Sequence, residues 1–188
     1  MGSLSDVRRL VAYDRSVLDA YARRLARMPW KVIAANREIG HRSMKNTLVH
    51  ILNVYEAWFV AVAQGRWEIF ERKGRRPDEC RSWKDVRAYH RQVWVEVDRF
   101  VAGLTPRSLH RRLKAPWMPG RYTVEDAIYQ ASFEQAHHLG EIIGVLWQQD
   151  SEPPAMTWIQ HMRRGTARAR RRRKPHPRGV KRSSRHPL

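Results

Sequence analysis

The stretch that decides the fold lies at residues 133–147 and reads FEQAHHLGEIIGVLW. Its apolar residues recur at the three- and four-residue spacing of a helix with one buried face. The helix is predicted to begin at Thr123, because Glu125 and Asp126 follow it and negative charge is favourable at a helix N-terminus. It is predicted to continue to about Gln149 and to stop before two prolines, which cannot continue the backbone hydrogen-bond ladder.

Three other stretches show the same helical periodicity. They run from about residue 6 to 27, from 43 to 64 and from 82 to 103. Ser43 is a predicted N-cap, since a serine side chain can accept a hydrogen bond from a free N–H group of the first turn. Ser82 and Asp85 form a pair similar to a capping box. No stretch alternates with period two for long enough to form a sheet.

Four helices of this length predict an all-α, four-helix bundle. The gaps between them are too long for simple hairpin turns throughout and lie near residues 28–42, 65–81 and 104–122. The chain of 188 residues is the size of one domain, and its 42% hydrophobic content, with 8 Trp, argues against a wholly disordered protein. We expect the bundle at residues 1–162 and a separate tail at 163–188.

The positive charge of the chain is concentrated in this tail. Residues 163–188 hold 12 Arg and Lys and no carboxylate, within a total net charge of +19. The tail is expected to be disordered. Its dense run Arg168–Lys174 favours binding of nucleic acid or another polyanion by counterion release, with a solvated tail as the alternative. It contains no aromatic residue that would stack on bases, so sequence-specific recognition is not expected.

Cysteine content and hydropathy indicate the compartment. The single cysteine, Cys80, excludes an intramolecular disulfide and a Cys-rich zinc module, which fits a reducing environment. The first residues lack the apolar core of a signal peptide, and no apolar run approaches the ~20 residues that cross a bilayer. We therefore expect a cytoplasmic protein with no membrane partner.

Candidate metal ligands lie on two of the predicted helices. Glu134, His138 and Glu141 share one helix face at positions i, i+4 and i+7. A carboxylate and an imidazole one turn apart can grip one metal ion, and His50 on the second helix, whose helical neighbours are small or apolar, is expected to face inward toward them. Two histidines and one carboxylate leave coordination positions open, as catalytic sites require. The alternatives are a core histidine and a solvated acidic face.

The chain resembles the DinB/YfiT-like family of metal-dependent bundle proteins over about residues 6–162. The resemblance rests on VAYDRSVLDAYARRL (residues 11–25), SMKNTLVHILNVYEAWF (43–59) and EQAHHLGEIIGVLWQQDSEPPAMTWI (134–159). It implies a four-helix bundle, often dimeric, with a three-histidine site for nickel, zinc or a similar ion. The first family histidine falls on His50 and the last falls on His138.

The sequence departs from the family at the middle histidine, where this chain has Glu134. A carboxylate there favours manganese, iron or zinc, or it marks a lost site. His137 is the second-choice ligand. Glu141 is interpreted either as a general base or partner that orients an imidazole, or as a solvated charge. The other histidines, His41 among them, show no ligand spacing and are expected at the surface.

The resemblance implies a metal-dependent thiol S-transferase or hydrolase that acts on a small molecule. In that reading His50, Glu134 and His138 hold a divalent ion and Glu141 carries a proton. The alternative is a non-catalytic bundle that acts in dimerisation or binds a polyanion through its tail. A homodimer is expected in either case, and an exposed apolar face that includes Trp147 and Trp158 is the candidate surface.

Overall fold

The computed structural model describes residues 2–163, and six α-helices lie in the part before residue 156. In chain order they are α1 (Leu4–Leu25), α2 (Trp30–Ile33), α3 (Met44–Glu56), α4 (Trp83–Ala102), α5 (Pro106–Leu109) and α6 (Val124–Trp147). A further 3₁₀ turn occupies Trp67–Glu71. Helices α1, α3, α4 and α6 are the four long elements, so the predicted all-α bundle with long connections is confirmed.

The predicted helix starts are confirmed by their hydrogen bonds. The Ser43 hydroxyl accepts from the backbone N–H of Asn46 at 3.1 Å. Ser82 forms the expected reciprocal pair with Asp85, and its hydroxyl donates to that carboxylate at 2.8 Å. At α6 the Thr123 hydroxyl accepts from the backbone N–H of Asp126, and the Asp126 carboxylate accepts from the backbone N–H of Thr123 in a full capping box. Each side chain satisfies a donor that the first turn of a helix leaves free.

One wide turn extends α3 beyond its regular end. Residues Ala57–Val62 form a π-helix, and the adjoining Ala63 and Gln64 complete the helical stretch expected from the sequence. A π turn inserts a residue relative to the α-helical ladder and is common at functional sites. Here the turn carries Ala57 and Trp58, both of which line a surface cleft.

A two-stranded ribbon leads into α6. Strand β1 (Arg112–Leu113) pairs antiparallel with β2 (Tyr122–Thr123). The ribbon closes the base of a loop at residues 114–121, and β2 ends at the residue that caps α6. Strands of two residues are too short to produce a detectable alternation in the sequence, which explains why this element was not expected.

The core forms around α3, which packs against α6 and α4, while α1 packs against α6. Its largest fully buried side chains include Trp94, Tyr21 and Tyr55. Close packing of this kind supplies most of the stability of a helical domain. The core also encloses two acidic side chains, Asp14 and Glu56, which are 3% and 0% exposed.

The chain divides into two compact units at Met156. In the second unit the described part is helical from residue 158 to 163, with the Trp158 and His161 rings stacked at 6.5 Å. The run Arg168–Lys174 and the expected disorder of the tail lie outside the described residues. Polyanion binding and the domain boundary at residue 162 therefore stay predictions. Among the helices that the structure describes, none is both long and apolar enough to cross a membrane.

Candidate metal centre

Three histidine rings meet at one point of the bundle. His50 lies on α3, His138 on α6, and His41 in the loop that precedes α3. The centroid of the His50 ring lies 3.8 Å from that of His41 and 4.5 Å from that of His138, and the third distance is 4.8 Å. One ligand atom from each ring can be chosen so that all three lie within 4.8 Å of one another.

The loop that presents His41 is tightly turned. Arg42 has a positive φ of 67°, its N–H donates to the carbonyl of Ile39 at 2.9 Å, and the N–H of Ser43 donates to the carbonyl of His41 at 2.8 Å. The loop then ends in the Ser43 cap of α3. A non-glycine residue in the left-handed region carries a conformational cost, which the surrounding hydrogen bonds must offset. These hydrogen bonds hold the loop in the arrangement that places His41 beside His50.

Carboxylates lie next to both ring nitrogens of His138. Its Nε2 is 3.3 Å from Oε2 of Glu134, and its Nδ1 is 3.4 Å from Oε2 of Glu141. Gln130 donates to the other Glu134 oxygen at 2.9 Å. Glu141 also packs against Gly40, where an added Cβ would lie 2.7 Å from its Oε1, so a glycine is needed at that position for this approach.

Burial keeps His41 and His50 in the neutral state that a metal ion requires. Burial lowers the pKa of His50 to about 4, and the neighbouring rings of His41 and His138 add to the effect. Burial and the ring of His138 also lower the pKa of His41, although Glu141 and Glu134 oppose that shift. Both rings are therefore neutral at pH 7, with a lone pair available for a metal ion.

The donor set fits a borderline divalent cation. Neutral imidazole nitrogens and a nearby carboxylate are ligands that zinc, iron, manganese and nickel accept. Small side-chain movements would bring the three rings to coordination distance, since their ligand atoms are already neighbours. A second group consists of His137, His138 and Glu141. His137 is exposed, whereas His41 and His50 are partly buried, so the first group is the better enclosed of the two.

A cleft of about 400 Å³ begins at this cluster. His50 and Glu134 lie at one end, and Arg75, Phe70 and Trp117 lie among its other lining residues. The space matches the size of pockets that bind small molecules. The cluster therefore lies where an ion held by it would be next to a bound ligand.

Of the predicted ligands, His138 lies beside both His50 and Glu134. Among the described residues, however, the group of neighbouring ligand atoms that contains His50 and His138 is completed by His41 and not by Glu134. Whether the predicted ligands bind metal stays a prediction, as does the role of Glu141. The expectation that His41 lies apart at the surface was wrong, because the turned loop folds it against His50. No spacing rule reveals such a residue, since the contact depends on a loop conformation rather than on a helix repeat.

These features define a helical bundle protein with a histidine cluster suited to a divalent ion. A family comparison agrees, because residues 13–142 match the family model described as the DinB superfamily. The chain therefore belongs to the DinB superfamily, whose members often bind metal ions. The resemblance inferred from the sequence is thereby confirmed. A comparison with curated proteins finds no match.

Proposed function

We propose that the protein is a divalent-metal-dependent enzyme that acts on a small molecule bound in the cleft. His41, His50 and His138 would hold the ion, with Glu134 as an additional ligand. The observation that carries the proposal is the convergence of three imidazoles, two of them with lowered pKa, at the end of a cleft of ligand size. His41 then supplies the third imidazole that the family pattern places where this chain has Glu134.

A bound ion of this kind supplies Lewis acidity and lowers the pKa of a coordinated water or thiol. The reaction class that we propose is thiol S-transfer or hydrolysis. Glu141 accepts a hydrogen bond from Nδ1 of His138 in the tautomer that leaves Nε2 free as a ligand. Such a carboxylate fixes the orientation of the ring and increases its basicity, and it is also placed to carry a proton.

Metal content is the first test of the proposal. We expect near-stoichiometric divalent metal in protein purified without a histidine tag, measured by elemental analysis, and a loss of at least about tenfold in affinity for each of His41→Ala, His50→Ala and His138→Ala. Glu134→Gln should weaken binding less, because three imidazoles remain. Circular dichroism would establish that each variant is folded.

His137→Ala is the matched control for this series, because His137 is adjacent to His138 but exposed. It should retain the metal. Loss of metal in His137→Ala together with full retention in His41→Ala would show that the ion is held by His137, His138 and Glu141 instead. No metal in the wild-type protein, even after incubation with zinc, nickel, manganese or iron, would contradict the proposal and favour a non-catalytic bundle.

We also propose a homodimer through the outer face of α6. Three exposed residues of this face recur every seven positions, namely Phe133, Gly140 and Trp147. The exposed residues His137 and Gly144 lie between them on the same face. None of these five residues is an Asp, Glu, Lys or Arg, although the chain has a net charge of +19. In an antiparallel pair centred on Gly140, Phe133 of one copy would meet Trp147 of the other, so the face is complementary to itself.

Gly140→Glu should convert this dimer to a monomer. An added Cβ at Gly140 meets nothing within 4 Å, and glycine is a poor helix former, so the monomer itself should tolerate or gain from the change. Light scattering coupled to size-exclusion chromatography would measure the mass. Ala88→Glu on the exposed surface of α4 is the control and should leave the dimer intact. A wild-type protein that is monomeric throughout the micromolar range would refute the dimer.

A further inference from the structure

The cleft has an aromatic end beyond the histidine cluster. Trp117 packs edge-on against Trp58, with ring centroids 5.8 Å apart, and against Phe70 at 6.3 Å. Trp117 and Phe70 are nevertheless 47% and 39% exposed. Large aromatic faces left open beside a cleft offer a flat apolar surface that a planar ligand can cover.

The same end of the cleft holds a fixed guanidinium group. The Arg75 side chain stacks over Phe70, with its central carbon 4.8 Å from the ring centroid, and its Nε donates to the buried Glu56 carboxylate at 3.0 Å. The guanidinium also has the Tyr89 hydroxyl as a hydrogen-bond partner. Because a guanidinium carries five N–H donors, these two partners leave donors on its terminal nitrogens for a ligand. The stacking and the bond hold the group in one orientation.

The buried counter-ion of Arg75 is shared with a second arginine. Glu56 is shared between Arg75 and Arg72, whose Nη1 lies 3.5 Å from the other carboxylate oxygen. Arg72 also lies 3.9 Å from Glu96, and it is Arg75 that lines the cleft. The negative Glu134 lies at the histidine end of the cleft, beside His138. The cleft thus presents a cation at its aromatic end and an acidic group at its metal-site end.

We infer that the cleft binds a planar apolar or aromatic carboxylate. The ring system lies against Trp58, Phe70 and Trp117, and the carboxylate receives hydrogen bonds from the terminal nitrogens of Arg75. This assignment rests on the proposed function in one respect only, which is that the far end of the ligand reaches His50 and Glu134. Guanidinium groups pair with carboxylates through two parallel hydrogen bonds, so the charged end gives orientation as well as affinity.

The test uses three ligands with one ring system and different charges, namely 2-naphthoate, 2-naphthylmethanol and 2-naphthylmethylammonium. Isothermal titration calorimetry on the full chain should show that the acid binds about tenfold more tightly than the alcohol, because hydrogen bonds between charged groups are stronger than those to a neutral hydroxyl. The ammonium ligand should bind most weakly. Equal affinities, or tightest binding of the ammonium ligand, would overturn the inference. Comparing ligands avoids replacing Arg75, whose loss would leave buried Glu56 with one fewer partner.

Trp117→Ala and Trp147→Ala form a matched pair of variants. Both tryptophans are about half exposed, at 47% and 57%, but only Trp117 lines the cleft. Trp117→Ala should weaken the acid and the alcohol by a similar factor of about tenfold, since it removes aromatic contact and leaves Arg75 in place. Trp147→Ala should change neither affinity. Unchanged binding in Trp117→Ala would refute the assignment of the aromatic end.

The titrations are run on metal-free protein and on protein loaded with zinc. Binding of 2-naphthoate with the expected selectivity in both forms supports the inference even if the metal series on His41, His50 and His138 fails. Normal metal binding without selectivity for the acid would overturn the ligand assignment and leave the proposed metal centre standing. The two proposals therefore fail in different experiments.

Discussion

Replacing Glu56 by alanine is expected to lower the free energy of unfolding by about 3–5 kcal/mol, because it breaks a buried charge pair from one side. The Glu56 carboxylate is 0% exposed. It accepts hydrogen bonds from Nε of Arg75 at 3.0 Å and from the Tyr89 hydroxyl at 2.8 Å, and Arg72 contributes an ion pair. Alanine would leave the guanidinium of Arg75, only 12% exposed, without its counter-charge.

Urea unfolding followed by circular dichroism measures this loss, and Glu68→Ala provides the control. Glu68 also pairs with an arginine, Arg66, at 3.2 Å, but its side chain is 60% exposed. An exposed pair contributes ~0–1 kcal/mol, so Glu68→Ala should have little effect. Similar small effects for the two variants would show that Glu56 does not stabilise the bundle as a buried counter-ion. A loss confined to Glu56→Ala is the expected result.

Replacing Asp14 by asparagine is expected to stabilise the protein by an amount that grows as the pH rises from about 4 to 6 and is constant above that. Burial raises the pKa of Asp14 to about 6, although hydrogen bonds from Ser132 and Tyr55 act in the opposite direction. The ordinary value for aspartate is about 3.9. Between about pH 4 and pH 6 the folded protein therefore keeps a proton on Asp14 that the unfolded chain has already released. This difference in bound protons lowers the free energy of unfolding as the pH rises.

The sign of the pH dependence follows from proton linkage. Below about pH 4 the carboxyl group is protonated in both states and costs nothing. As the pH rises from about 4 to 6 the unfolded state loses its proton first, so the wild-type protein loses stability by up to about 3 kcal/mol. Asp14→Asn should remove that loss. Its advantage in the free energy of unfolding should be about 3 kcal/mol greater at pH 8 than at pH 4.

Asp98→Asn is the control for the titration, since Asp98 forms an exposed pair with Arg15 on the surface. Its effect on the free energy of unfolding should be small and nearly independent of pH. A constant offset between Asp14→Asn and the wild-type protein from pH 4 to pH 8 would contradict the assigned ionisation of Asp14. A greater stability of the wild-type protein at pH 8 would contradict the sign.

The helices could be predicted from sequence because their signals are local. The caps Ser43, Ser82 and Thr123 and the helical repeat of apolar residues depend on neighbours within a few positions. Each of these three helices begins within a residue of its predicted start, whereas α1 begins two residues earlier than predicted. The π turn at Ala57–Val62 was not predictable in this way. Its apolar residues fit an α-helix equally well, and the extra residue is set by packing in the bundle.

Only the site residues that lie on helices could be predicted from the sequence. Glu134 and His138 are four apart on α6, and His50 faces them because its side of α3 packs against α6. His41 follows no repeat, since a left-handed residue at position 42 and the hydrogen bonds of the loop place it. The aromatic end of the cleft was also missed, because Phe70 and Trp117 come from connections that contact each other only in the folded chain.

The ribbon of β1 and β2 separates a loop that can accept substitutions from the long helices that carry two of the proposed metal ligands. The proposed metal ligands His50 and His138 lie on long helices, where substitutions disturb the core. Trp117 and Met118 lie in the loop whose base the ribbon closes, and insertions or substitutions in such a loop are tolerated. Substitutions in that loop are therefore expected to alter the proposed ligand cleft while leaving the proposed ligands on the helices in place.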